Sequence, residues 1–152
     1  RAAASGQPIK DVVATAERMK QRVSELLTVD TLTYMAKGGR IGNASRFLGS
    51  LLNVKPILEL NPRTGIVEAL ERVRGRKKAI DRMIKIMEER IPDPHSAIHV
   101  IIDQADAMEE AQGLRERILA RFDCRDIHIM GWSPVIGTHL GPGTLGLSFY
   151  SE

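Results

Sequence analysis

Ala97-Ile98-His99-Val100-Ile101-Ile102, the helical pattern that follows it, and Asp126-Ile127-His128-Ile129-Met130 together decide the fold. The first run is almost continuously apolar, as expected of a central strand buried on both faces, or on one face beneath a helix. Asp106 followed by Glu109 has the spacing of a capping box. Ala111, Leu114, Ile118 and Phe122 then recur at helical spacing. The second apolar run reads as another strand. Strand, helix and strand in this order predict layers of helix on sheet.

Working outward, Arg76–Ile91 is an amphipathic helix carrying Ala79, Ile80, Met83, Ile84 and Met87, and Pro92 and Pro94 end it. Val54–Leu60 reads as a strand, Asn61-Pro62-Arg63-Thr64-Gly65 as a turn, and Ile66–Val73 as the returning strand of a hairpin. The hairpin makes the sheet mixed. Thr144–Phe149 alternates Leu145, Leu147 and Phe149, which adds a strand near the end. Val29–Thr33 reads as a short extended piece, Tyr34–Gly39 as a turn or one helical turn, and Asn43–Leu52 as a helix. Pro8 stands in the first turn of a helix whose stripe runs from Ile9 through Val23 to Leu26 and Leu27. Arg1–Gly6 reads as the tail of a preceding helix, so the chain is expected to be the C-terminal part of a longer protein. The expected architecture is two-layer α/β, a mixed sheet of about six strands covered by helices on one face. A tapering apolar space between sheet and helices is expected to hold a greasy ligand.

Composition narrows the function classes. The 152 residues are 43% hydrophobic and 27% charged, with a formal net charge of +3, which suits a soluble globular domain. No apolar run is long enough to span a bilayer, and the start is not a signal peptide. The single cysteine, Cys124, excludes an internal disulfide framework and fits a reducing cytoplasm; it reads as a packed thiol. One Trp, two Tyr and three Phe argue against a stacking platform for single-stranded nucleic acid.

Three constellations carry chemistry. In Lys37-Gly38-Gly39-Arg40-Ile41-Gly42, three glycines surround an arginine before a helix. Such a loop either exposes backbone N–H groups and a guanidinium to an anion, or is a plain loop with a solvated arginine. It is neither a dinucleotide fingerprint nor a P-loop. In Arg72-Val73-Arg74-Gly75-Arg76-Lys77-Lys78, five of seven residues are basic. That cluster fits a phosphate, an acidic partner or nucleic acid, but also a solvated charged turn beside Glu68 and Glu71. In Ile136-Gly137-Thr138-His139-Leu140-Gly141-Pro142-Gly143, one histidine stands before a Gly-Pro-Gly turn. The local pattern favours a plain turn joining two strands, while the alternative is an imidazole held at the mouth of a site. His95, His99 and His128 have no metal-like spacing, and no catalytic triad or carboxylate pair is legible. The residues alone therefore reach an anion-handling α/β domain with an apolar layer.

Four stretches in order resemble the C-terminal domain of the DegV family: Asp30 to Ile41, Leu48 to Leu58, Val73 to Ala79, and Val135 to Gly143. The resemblance implies a protein that binds long-chain fatty acids. In some members it is the acyl-binding subunit of a bacterial fatty-acid kinase, presenting the carboxylate for phosphorylation by a partner. It further implies that residues 1–27 connect from an absent N-terminal domain and that residues 28–152 form the C-terminal acyl-binding domain. Carried over by motif, Arg40, Gly39 and His139 belong to the head-group site, and Arg74 and Arg76 face the docking kinase or the phosphoryl group. The chain itself is then a binding subunit with no catalytic set, metal, cofactor or nucleic-acid partner. Residues drawn from predicted faces to line the tail are Phe47, Leu51, Ile57 and Ile101. Each buried CH₂ contributes about 0.8 kcal/mol, so a long tail offers on the order of 10 kcal/mol gross. A carboxylate left unpaired cancels much of that, which is why a cation and a donor are needed at the mouth. The rival reading is a phosphate- or nucleic-acid-binding module using residues 72–78.

Overall fold

The computed structural model describes residues 1–47, 53–91, 93 and 95–152. In chain order the elements are α1 (Ile9–Lys20), β1 (Ser24–Thr28), α2 (Thr33–Lys37), a 3₁₀ turn (Gly42–Phe47), β2 (Val54–Leu60), β3 (Val67–Arg74), α3 (Arg76–Arg90), β4 (Ile98–Ala105), α4 (Met108–Leu119), β5 (Cys124–Gly131), α5 (Pro134–Leu140) and β6 (Thr144–Ser151). The strands form one six-stranded sheet ordered β3-β2-β1-β6-β4-β5. Only β4 and β5 run parallel, joined through α4; every other neighbouring pair is antiparallel. The mixed sheet expected from the sequence is the one that forms, but helices pack on both of its faces: α3 and α4 on one, α2 and α5 on the other.

Alternation along the strands divides the apolar residues between two faces. Leu26, Ile57, Ile98, Ile102 and Leu147 pack with Met83 and Met87 of α3 and with Leu114 and Ile118 of α4 in the larger core. Leu147 stands opposite Leu26 on one side and Ile102 on the other, which locks β6 into the centre. On the opposite face, Leu27, Val29 and Leu58 pack with Met35 of α2, Ala44 of the 3₁₀ turn and Leu140 of α5.

The sheet–helix layer differs from expectation. Ile57, Met83, Met87, Ile98, Leu114 and Leu145 are fully buried there against one another. Among the described residues, close packing leaves no tapering space for a ligand between the sheet and α3 and α4.

Several elements also differ. The helix from Ile9 stops at Lys20, and Leu26 and Leu27 lie in β1, where backbone pairing to both β2 and β6 outweighs the helical spacing of the side chains. The expected boundary at 27/28 thus falls inside a strand. The extended piece expected over Val29–Thr33 is instead the exit from β1 and the start of α2. The capping box is not made: the N-cap of α4 is Ala107, and its N–H is met by Gln104 Oε1 at 2.9 Å. The helix expected from Asn43 is a 3₁₀ turn ending at Phe47; Leu48, Leu51 and Leu52 lie outside the described residues. Finally, the stretch before Gly-Pro-Gly is helix α5, not a plain turn. Pro134 starts it, and Ser133 Oγ accepts from the Ile136 N–H at 3.4 Å.

Candidate functional site at the α2–α5 corner

Two motifs a hundred residues apart meet at one corner. Helix α2 ends at Gly38, whose carbonyl accepts from Arg40 Nη1 at 2.9 Å. Gly39 follows at φ +66°, a left-handed conformation that turns the chain back and favours glycine. Gly38 itself has an ordinary helical φ of −80°. Its need for glycine is steric: a Cβ there would overlap the His139 ring of α5. One residue beyond α5, a Cβ at Gly141 would overlap the ring of Tyr34 in α2. Gly143 lies against the Asp30 carboxylate, which pairs with Lys55 Nζ at 2.7 Å. Glycines on both motifs thus let α2 and α5 close on each other. The result gathers Arg40 and His139 around the backbone of Gly38. His139 Nδ1 is buried and has no hydrogen-bond partner among the described residues.

The remaining candidate residues separate. Ile57 is fully buried in the larger core and lines no opening. Phe47 packs against the smaller core, with the guanidinium carbons of Arg46 and Arg72 at 5.2 and 5.1 Å from its ring centroid. Leu51 lies outside the described residues. Ile101 is 38% exposed on the face away from α3 and α4. The basic cluster is split by the fold: Arg76 holds Glu110 through Nε and Nη2 at 2.7–3.1 Å, Arg72 lies over Phe47, and Arg74 is exposed at the end of β3.

An open space lies on that same second face. A cavity of about 740 Å³ separates α1 from the sheet, with Val12, Ala16 and Met19 above and Ile101, Ser148 and Tyr150 below. No residue of α1 is buried. From Ser148 at the cavity toward the α2–α5 corner, β6 presents Gly146 on this face, with Trp132 lying on it. Glu25 and Asp103 flank these small residues. Burial raises both carboxyls above their ordinary range, and Asp103 raises Glu25 further. Cys124 is half-buried, and burial likewise pushes its thiol up.

Arg40 and His139 are legible in the sequence as candidates; the contacts of Gly38 and Tyr34 and the Glu25–Asp103 pair are not. Gly38 and Tyr34 stand in a motif that carries no signal of what they touch. Glu25 is hidden because the helical spacing of Val23, Leu26 and Leu27 overlaps β1. Among the described residues no group of three His, Cys, Asp or Glu is placed to hold a metal ion. No described helix is long and apolar enough to cross a membrane.

The fold and this corner define an α/β domain that places a guanidinium and an imidazole beside a partly open apolar sheet face. A family model described as "Uncharacterised protein, DegV family" matches residues 1–152, and the chain belongs to the DegV family. A DegV domain-containing protein of Streptococcus pneumoniae is 38% identical over 128 residues, 84% of this chain and 44% of its own length. A Thermus thermophilus DegV family protein, described as binding fatty acid, superposes with a TM-score of 0.91 at 33% identity, over 99% of this chain and 53% of that one. Bacillus subtilis DegV, described as a fatty acid binding protein, superposes with a TM-score of 0.81 at 31% identity, over 99% and 52%. The chain spans about half the length of the relatives it matches.

Proposed function

We propose that this chain is the acyl-binding C-terminal domain of a fatty-acid carrier, with the domain beginning at β1 and the residues before it connecting to an N-terminal one. The observation that carries the reading is the meeting of Arg40 and His139 around Gly38. A guanidinium and an imidazole there neutralise and hydrogen-bond a carboxylate, which offsets the cost of bringing it to an apolar face. The tail lies on the second face of the sheet, toward Ile101 and the cavity beneath α1, since the layer under α3 and α4 is filled. The likeness to fatty-acid-binding relatives supports the same ligand class.

The chain acts as a binding subunit in the cytoplasm. A fatty-acid kinase partner supplies the nucleotide: a carboxylate oxygen attacks the terminal phosphorus and the nucleoside diphosphate leaves, giving an acyl phosphate. Arg74, exposed at the edge of the sheet, meets that partner. Arg76 is committed to Glu110 and acts in the fold. The same splitting of the basic cluster counts against a phosphate- or nucleic-acid module built on residues 72–78. Mass spectrometry of lipid extracted from the denatured protein tests the ligand class. A near-stoichiometric fatty acid is the expected result, and lipid-free protein from several preparations would refute it.

A further inference from the structure

Two groups at the α2–α5 corner take their orientation from one backbone position. The Gly38 carbonyl accepts from Arg40 Nη1 at 2.9 Å. The α-carbon of the same glycine lies against the His139 ring. Where a side chain would begin, Gly38 carries a hydrogen, and the atom nearest that place is His139 Nδ1. Nδ1 is buried and has no hydrogen-bond partner among the described residues. Buried polar atoms are nearly always paired, so this orphan needs a physical reason.

The contact decides which ring nitrogen can carry a proton. A hydrogen on Nδ1 would point at the α-hydrogen of Gly38, in a space too small for both. It would also be a buried donor without an acceptor, the rarer and costlier kind of orphan. A bare Nδ1 instead turns its lone pair to the Gly38 C–H, a weak attraction. Turning the ring over would set Cδ2–H against that same hydrogen, so the contact also fixes which edge of the ring faces inward. The helix carrying the ring is held against α2 as well: Gly141 lies against Tyr34, and Leu140 is buried.

We propose that Gly38 is a positioning residue that holds His139 as the tautomer with its proton on Nε2. Nε2 lies farther from Gly38, on a ring that is partly exposed, and it is the atom that donates to the ligand. The same glycine engages one edge of the guanidinium and leaves the remaining N–H groups of Arg40, an exposed residue, to the ligand. The corner then offers donors from both groups, which suits a bare carboxylate oxygen. That the ligand is a fatty acid rests on the function proposed above; the tautomer does not.

Ring spectra of the ligand-free protein labelled with 15N in histidine test the tautomer without any ligand. At about pH 8, where an ordinary imidazole is neutral, they distinguish a bare nitrogen from a protonated one. The signals missing from His139→Gln assign His139 among the four histidines. A bare Nδ1 and a protonated Nε2 are expected, and a proton on Nδ1 overturns the proposal. Gly38→Ala is expected to shift the ring toward a mixture of tautomers; an unchanged His139 pattern overturns Gly38 as its cause. Isosteric substitutions then read the contact itself, because the Gln amide nitrogen reaches the place of Nε2 and the Asn amide nitrogen only that of Nδ1. With a long-chain fatty acid and its methyl ester as probes, His139→Gln is expected to keep the preference for the acid to within about threefold. His139→Asn is expected to lose about tenfold of it, the size of one hydrogen bond to a charged group. Equal loss in both variants, or retention in His139→Asn alone, overturns Nε2 as the contact. A parent protein with a bare Nδ1 that binds acid and ester alike leaves the tautomer standing and refutes the fatty-acid reading instead.

Discussion

Gly38 and His139, a hundred residues apart in the chain, are in such close contact that a single methyl group on Gly38 would occupy the space of the imidazole. The contact joins the Gly-Gly-Arg motif to the His-x-Gly-Pro-Gly motif. It also separates two reasons for glycine. Gly38 has an ordinary helical backbone, so Gly38→Ala acts through overlap alone; Gly39 has open space but φ +66°, so Gly39→Ala acts through the backbone alone. Gly38→Ala is expected to cost about 1–3 kcal/mol by overpacking and to displace His139. Gly39→Ala is expected to cost about 1–2 kcal/mol and leave His139 in place. Thermal melts, with the His139 ring resonances as a local probe, check both; an undisturbed His139 in Gly38→Ala would contradict the contact.

Ile57 and Ile101 test which face takes the ligand. Ile57 is fully buried in the larger core, and Ile57→Ala is expected to lower stability by about 2–5 kcal/mol. Ile101 is 38% exposed at the cavity, and its truncation is expected to cost much less stability while weakening acyl binding. Denaturant midpoints alongside acyl-probe titrations separate the two effects. A stable Ile57→Ala that fails only in binding would return the tail to the layer under α3 and α4.

Arg74 and Arg76 occupy neighbouring places in the basic run and have different work. Arg76→Ala leaves Glu110 without its two-pronged partner at the start of α3 and is expected to cost about 1–3 kcal/mol. Arg74→Ala is expected to stay within about 0.5 kcal/mol in stability and to keep acyl binding, while turnover with a kinase partner falls. Parallel loss of binding and turnover in Arg74→Ala would place this residue on the ligand.

The Glu25–Asp103 pair gives a pH signature. Both carboxyls are raised in the folded protein by burial, so between the ordinary values of 4.5 and 3.8 and their raised folded values the folded state binds more protons than the unfolded one. Their ionisation costs stability as pH rises through that window. Glu71 is opposite in sign: its hydrogen bond to Arg82 lowers it, and its contribution is lost as pH falls through its folded value. Glu25→Gln is therefore expected to raise Tm at pH 7, with the gain vanishing as pH drops below the ordinary glutamate range. A gain that persists in acid would mean that packing, not charge, is responsible.

Periodicity was legible wherever one side of an element met a core. Val54–Leu60 matched β2 residue for residue, and Arg76–Ile91 overran α3 by one, because alternation and a one-sided stripe mark these elements. Residues 23–27 misled because Val23, Leu26 and Leu27 fit helical spacing, while β1 buries Leu26 and Leu27 on opposite faces of the sheet. Helix α5 was masked by glycine and by a proline that marks a helix start as readily as a turn. Arg40 and His139 were legible as residue types, but nothing local showed that Gly38 would bring them together. That contact depends on the sheet order, which places the end of β1 beside the start of β6.

Titration of the protein with a long-chain fatty acid and with its methyl ester, repeated on Arg40→Ala and His139→Ala, tests whether the α2–α5 corner holds a carboxylate. The parent is expected to prefer the free acid by about tenfold or more, and either substitution to remove most of that preference while ester binding is kept. Equal affinity of the parent for acid and ester would contradict it, because the guanidinium and the imidazole would then have no carboxylate to hold.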